Sequence, residues 1–101
     1  MPASLAGKAV VVVGDGTPEH RAVAVALAEA GANVAVAGAP GFPSEVHLNS
    51  IANEIWAIGQ RGVVVTFAPG DSVAYARALE AAVKELGRVH LVVRCEQVRE
   101  A

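Results

Sequence analysis

Aromatic side chains are scarce in this chain. Two Phe, one Tyr and one Trp make up 4% of it, although 53% of the residues are hydrophobic. Ala and Val therefore supply much of the apolar content, and a core of such small side chains packs its layers closely. Cysteine is nearly absent. The one cysteine, Cys95, excludes a disulfide within the chain and fits a reducing compartment, so the expected location is cytoplasmic. Excess positive charge is missing as well. With 8 Lys and Arg against 10 Asp and Glu, the formal net charge is −2, which leaves no footprint for nucleic acid. No apolar run approaches the ~20 residues of a membrane span. No basic start leads into an apolar stretch of the secretory kind. A length of 101 residues suits one domain, 1–101.

What the chain does have is alternation. A strand is expected over 8–13, where four valines suit burial on both faces. A helix follows over 18–30, with Val23, Leu27 and Ala30 recurring at helical spacing, Ala22 and Ala26 close by, and Gly31 placed to end it. Residues 33–37 read as a second strand and 38–43 as a loop rich in Gly and Pro. Ser44 can cap a helix over 45–58 with Leu48, Ile51, Ile55 and Ile58 on one face and Trp56 at its margin. A third strand is expected over 62–67. Asp71 or Ser72 then caps a helix ending at Leu86, with Val73, Ala76, Leu79, Val83 and Leu86 turned inward. The fourth strand is Val89-His-Leu-Val-Val93, and a polar tail follows. Continuous apolar strands alternating with helices imply an α/β, Rossmann-like parallel sheet of about four strands and three helices, a partial doubly wound fold. Right-handed crossovers give the order 3-2-1-4, with two helices on one face and one on the other.

The first strand-to-helix turn, Gly14-Asp15-Gly16-Thr17-Pro18-Glu19-His20, is the place where such a fold holds the phosphates of a dinucleotide. Thr17, Pro18 and Glu19 start a helix well, as a cap, a first-position proline and an acid complementing the dipole. They serve a phosphate poorly. Pro18 removes an amide, Glu19 brings negative charge, and His20 adds bulk where backbone must approach closely. The turn reads either as a phosphate cradle or as a structural turn.

From Leu5-Ala-Gly-Lys8, through Arg21-Ala-Val-Ala-Val-Ala-Leu-Ala-Glu-Ala-Gly-Ala32, to Leu86-Gly-Arg-Val-His-Leu-Val-Val93, the chain resembles the first part of a short-chain dehydrogenase/reductase. The resemblance implies a Rossmann fold and an NAD(P)-dependent oxidoreductase family. It also maps the family's cofactor features onto altered residues. The three turn glycines fall on Gly14, Pro18 and His20. The ribose-binding acid falls on Gly38, and the neighbouring position that favours the phosphorylated cofactor falls on Ala39. The adenine-side Asp falls on Ala68, while Asp71 matches the segment's second Asp but serves the helix cap. The Asn-Asn-Ala-Gly segment falls on Arg94-Cys-Glu-Gln97. The family's catalytic Ser, Tyr and Lys come from later segments, and Tyr75 has no lysine four residues on, so no catalytic residue is carried over.

Other chemistry is sparse. His20, His47 and His90 lack metal-ligand spacing. Cys95 is a thiol candidate only if exposed near Arg94. Glu80 and Lys84 form a favourable helical pair on a solvated face. Two functions are open. In one, the chain is a cofactor-free, non-catalytic structural subunit, a pseudoenzyme. It would dock through the fourth-strand edge, Val89 to Val93, and the partly uncovered sheet face on a partner, in view an active oxidoreductase of the same family. In the other, it is the N-terminal fragment of a reductase, binding NAD(P) through Gly14, Asp15, Gly16 and Thr17. A small-ligand sensor at the strand ends is a weaker third reading.

Overall fold

The computed structural model describes residues 4–95. The polar tail, including Glu96 and Gln97, lies outside the described residues. Elements alternate as β1 (Ala9–Val13), α1 (Pro18–Glu29), β2 (Asn33–Gly38), α2 (Ser44–Ile58), β3 (Gly62–Thr66), α3 (Ser72–Leu86) and β4 (Leu91–Arg94). The four strands are parallel in the order β3-β2-β1-β4, the α/β topology that crossover handedness dictates.

The valine run of β1 is central and buried on both faces, so its odd and even residues feed two cores. Val10 and Val12 join Val34, Val36, Leu48, Ile51 and Ile55 beneath α1 and α2. Val11 and Val13 join Ala35, Ala37, Val65, Ala78 and Ala82 beneath α3. Leu48 and Ile55 are wholly buried, each contributing about 1.5–3 kcal/mol.

Alanine sets how the helices sit. α1 buries His20, Ala24 and Ala28, with Val23 and Leu27 only half-buried and Ala22 and Ala26 exposed. That stripe lies one residue away from the face expected from its larger side chains. α3 departs further. Its buried residues are Ala78 and Ala82, flanked by Tyr75, Leu79 and Leu86, whereas Val73 and Val83 are 60% and 43% exposed and Ala76 is exposed too. Small residues let the α3 backbone come close to the sheet, and that gain in contact outweighs burying two valines on the flank.

Helix starts also differ from the sequence reading. Asp71 caps α3, accepting from Ala74 N at 2.9 Å. Thr17 makes no side-chain cap on α1. Ser44 is the first residue of α2 rather than its cap, Pro43 precedes it, and Ser44 Oγ is buried without a partner. At the other end of the sheet β4 begins two residues late. The His90 amide donates to Ala9 O at 2.8 Å, and His90 Nδ1 accepts from Ala9 N at 3.0 Å. A side chain thus occupies the place of a ladder bond before the β1–β4 pairing starts at Leu91. Trp56 is 55% exposed, yet its indole N–H donates to Gly62 O at 2.8 Å, which ties the helix margin to the start of β3. No described helix is long and apolar enough to cross a membrane.

Candidate functional site

The C-terminal ends of the strands form a cleft of about 570 Å³, lined by Val13, Gly14, Asp15, Gly38, Ala39, Ser44, Phe67, Arg94 and Cys95 among others. This is where open α/β sheets hold ligands, at the point where strand order reverses between β1 and its neighbours. Gly14 and Asp15 of the β1–α1 turn line this cleft, whereas Gly16 and Thr17, the next two residues of the turn, line a second groove on its other side together with Asp15. The turn needs glycine twice. Gly16 has φ 79°, a left-handed conformation. A Cβ on Gly14 would stand 2.5 Å from His20 Cγ.

That second contact identifies the residue on which the turn is built. His20 is wholly buried. Its Nδ1 accepts from Gly16 N at 3.0 Å, and its Nε2 lies 2.9 Å from Val12 O. Because the amide must donate, Nδ1 is the bare nitrogen and Nε2 carries the proton donated to the carbonyl. One neutral imidazole thereby joins the end of β1 to the turn beyond it. The remaining turn amides are committed as well. Gly14 N donates to Ala37 O at 3.0 Å, and Thr17 N donates to Asp15 Oδ1 at 3.2 Å. From the sequence His20 read only as bulk. Its position four residues after Gly16 allows the contact, but the path of the turn decides it, so no local sequence pattern marks the role.

Charge on the turn side of the cleft is negative, with Arg94 among the other lining residues. Hydrogen bonds from Thr17, its hydroxyl foremost, hold the exposed Asp15 carboxyl below its ordinary range, so it stays ionised. Cys95, half-buried at the end of β4, is pushed the other way. Burial raises its thiol pKa, and the charges of Glu19 and Asp15 raise it further. The thiol is therefore held protonated rather than activated. Arg94 lies with its guanidinium 4.7 Å from the centroid of the Tyr75 ring, which in turn meets Phe67 edge-on at 5.0 Å. This places Tyr75 in a packed stack.

The other histidines are dispersed. His47, on α2, packs over the turn, with its Cβ 2.7 Å from where a Gly16 Cβ would stand. It lines the second groove with Asp15, Thr17, Arg21 and Ser50. Arg21 in that groove is held by Glu54 through two contacts of 2.6 Å. His90 lies at the opposite end of β1. Among the described residues no three His, Cys, Asp or Glu side chains are grouped to hold a metal ion.

No protein-family model matches the chain, and no curated protein matches it in sequence. Solved structures do. A short-chain type dehydrogenase/reductase from Mycobacterium marinum is 29% identical with a TM-score of 0.78, over 89% of this chain and 35% of that one. A chain described as a short-chain alcohol dehydrogenase, from Sinorhizobium meliloti, is 30% identical with a TM-score of 0.79, over 91% of this chain and 35% of that one. An NAD+-bound xylitol dehydrogenase shares the fold, with a TM-score of 0.78 at 19% identity, over 88% of this chain and 33% of that one. The chain spans about a third of the length of these structures and resembles the N-terminal part of a short-chain dehydrogenase/reductase.

Proposed function

We propose that this chain is a non-catalytic, short-chain-dehydrogenase-like structural module that binds no dinucleotide and acts by docking on a partner chain. The observation that carries this reading is the commitment of the Gly16 amide to His20 Nδ1 at 3.0 Å. A pyrophosphate is held by free backbone N–H groups and the positive end of a helix. Here Gly14, Gly16 and Thr17 already donate within the protein, and Pro18 has no N–H to offer. Asp15 and Glu19 add negative charge where a phosphate would need the opposite sign. At the end of β2, Gly38 and Ala39 offer no carboxylate to a ribose. The residues present do not suit NAD(P), and no reaction step is assigned to it.

The second reading, an N-terminal cofactor-binding fragment of an NAD(P)-dependent short-chain oxidoreductase, is favoured by two observations. The likeness covers about nine-tenths of this chain, and the 570 Å³ cleft opens at the customary end of the strands. On that reading Gly14, Asp15, Gly16 and Thr17 hold the cofactor after His20 gives way. Calorimetric titration with NADH and NADPH separates the two. The structural reading predicts no heat of binding for either cofactor, in the native chain and in Glu19→Gln alike. Saturable binding at one site, weakened by bulk introduced at Gly14, would replace it with the fragment reading.

A further inference from the structure

We infer that the N-terminal end of the sheet is a docking surface for an acidic, extended peptide segment of a partner protein. The inference rests on the docking role proposed above and names the chemistry of the partner.

In a parallel sheet with crossover helices, every strand starts at one end and every helix starts at the other. The two ends therefore take different residues from the connections. Helix starts bring Asp15, Glu19, Glu45 and Asp71 to the end where the cleft lies. Strand starts bring cations. Arg61 directly precedes β3, Lys8 directly precedes β1, and Arg88 lies shortly before β4. The helix ends add Lys84, and with it Glu29 and Glu85.

Hydrogen bonds fix the order of the row. Arg61 N donates to Asn33 Oδ1 at 3.0 Å, Asn33 N donates to Lys8 O at 2.9 Å, and His90 N donates to Ala9 O at 2.8 Å. Arg61, Asn33, Lys8 and His90 thus follow the strand order β3-β2-β1-β4, with Arg88 beside His90 in the chain. At about 4.8 Å per strand the row is about 14 Å long. The row is set by paired strands, not by a free edge of the sheet, and it lies at the opposite end of the strands from Cys95.

The side chains of the row are donors. Asn33 Oδ1 is already taken by Arg61 N, which leaves the amide N–H groups. His90 Nδ1 accepts from Ala9 N, so Nε2 carries the proton. Lys8, Arg61, Arg88 and His90 are exposed, and no described carboxylate pairs with any of the three cations. Such a row fits carboxylates. On an extended peptide, carboxylates at alternate residues recur about every 6.8 Å on one face, so three of them span the row. A nucleic acid carries phosphates on all sides, most of which would meet a protein of formal net charge −2. The helix C-termini at this end carry partial negative charge that falls off within the last turn, and the row runs along the sheet between the helix layers.

The test is fluorescence anisotropy of a labelled, end-blocked peptide of about eight alternating Glu and Ala residues, titrated with the full chain to ~1 mM. The peptide binds at ~10 mM salt and binds about tenfold more weakly at ~150 mM, where exposed charges are screened. Lys8→Gln combined with Arg61→Gln weakens binding about tenfold, the scale of two exposed charge contacts. Both residues hold the row through main-chain atoms, so the far-UV spectrum is unchanged. Arg88→Gln alone, the second variant, weakens it about threefold. Arg77→Gln, which removes an exposed cation of α3 outside the row, changes it by less than about twofold. A native chain that binds no peptide at ~1 mM overturns the inference, as does a row variant no weaker than Arg77→Gln. A single-stranded oligonucleotide of equal charge that binds as tightly overturns it too. None of these results alters the cofactor titration, which judges the structural reading by itself.

Discussion

Replacing His20 removes the group on which the β1–α1 turn closes. Two costs arise in His20→Ala. The ring is wholly buried, and emptying the space of a core ring costs about 3–5 kcal/mol. Val12 O keeps its ladder bond to β2 and loses only its second donor, at 2.9 Å, which costs about 0.5–1.5 kcal/mol. The Gly16 amide is only partly buried, so water can replace Nδ1 there. The costs overlap, because a cavity that admits water also relieves the carbonyl. A net loss of about 3–5 kcal/mol follows, a large share of the 5–15 kcal/mol typical of whole domains. His20→Phe separates the parts. It keeps a ring of similar shape and drops both hydrogen bonds, for an expected loss of about 1–3 kcal/mol. Urea titration followed by circular dichroism measures both variants, and His20→Ala lowers the melting temperature by at least about 12 °C. A loss below about 1 kcal/mol in His20→Ala would refute the claim that this side chain holds the turn.

Three further outcomes follow from the same geometry. Gly38→Ala places a Cβ 2.7 Å from Gly14 O and 3.1 Å from both Leu48 methyl groups, and overpacking of this kind lowers stability by about 1–3 kcal/mol in a urea melt. Asp71→Ala removes the acceptor for Ala74 N and costs about 1 kcal/mol by the same measurement, whereas Thr17→Ala, which loses no cap bond, costs less. Cys95 reacts with iodoacetamide more slowly than a free thiol at about pH 8, because burial and then Glu19 and Asp15 raise its pKa and deplete the thiolate. Glu19→Gln lowers that pKa and speeds the reaction, and an unchanged rate would count against the electrostatic part of the explanation.

Much of the fold was legible because strand burial and crossover handedness act locally and strongly. The run Val10 to Val13 fits only a strand buried on both faces, and the right-handed rule then leaves the β3-β2-β1-β4 order. The helix faces were less legible. Periodicity in α3 ranks Val73 and Val83 above Ala78 and Ala82, yet how closely a helix approaches a sheet depends on the facing surface, which one sequence window does not contain. The site was legible as a departure and illegible as a device. Pro18 and Glu19 visibly oppose a phosphate from the sequence. That His20 bonds both Val12 O and Gly16 N depends on the path of the turn, and its spacing alone does not announce it. Ser44 and Thr17, both good caps by type, do not cap, since Pro43 and Pro18 set the backbone at those helix starts.

The central claim is that the turn spends its own amides, and the Gly16 N–H bond to His20 is its most direct expression. A long-range proton–nitrogen spectrum of the labelled chain, recorded while NADH is added, reads the ring and the amide together. The account predicts a His20 ring protonated at Nε2 and bare at Nδ1, with the Gly16 amide signal unmoved at saturating NADH. A proton on Nδ1, or a Gly16 signal that shifts and saturates with NADH, would contradict it.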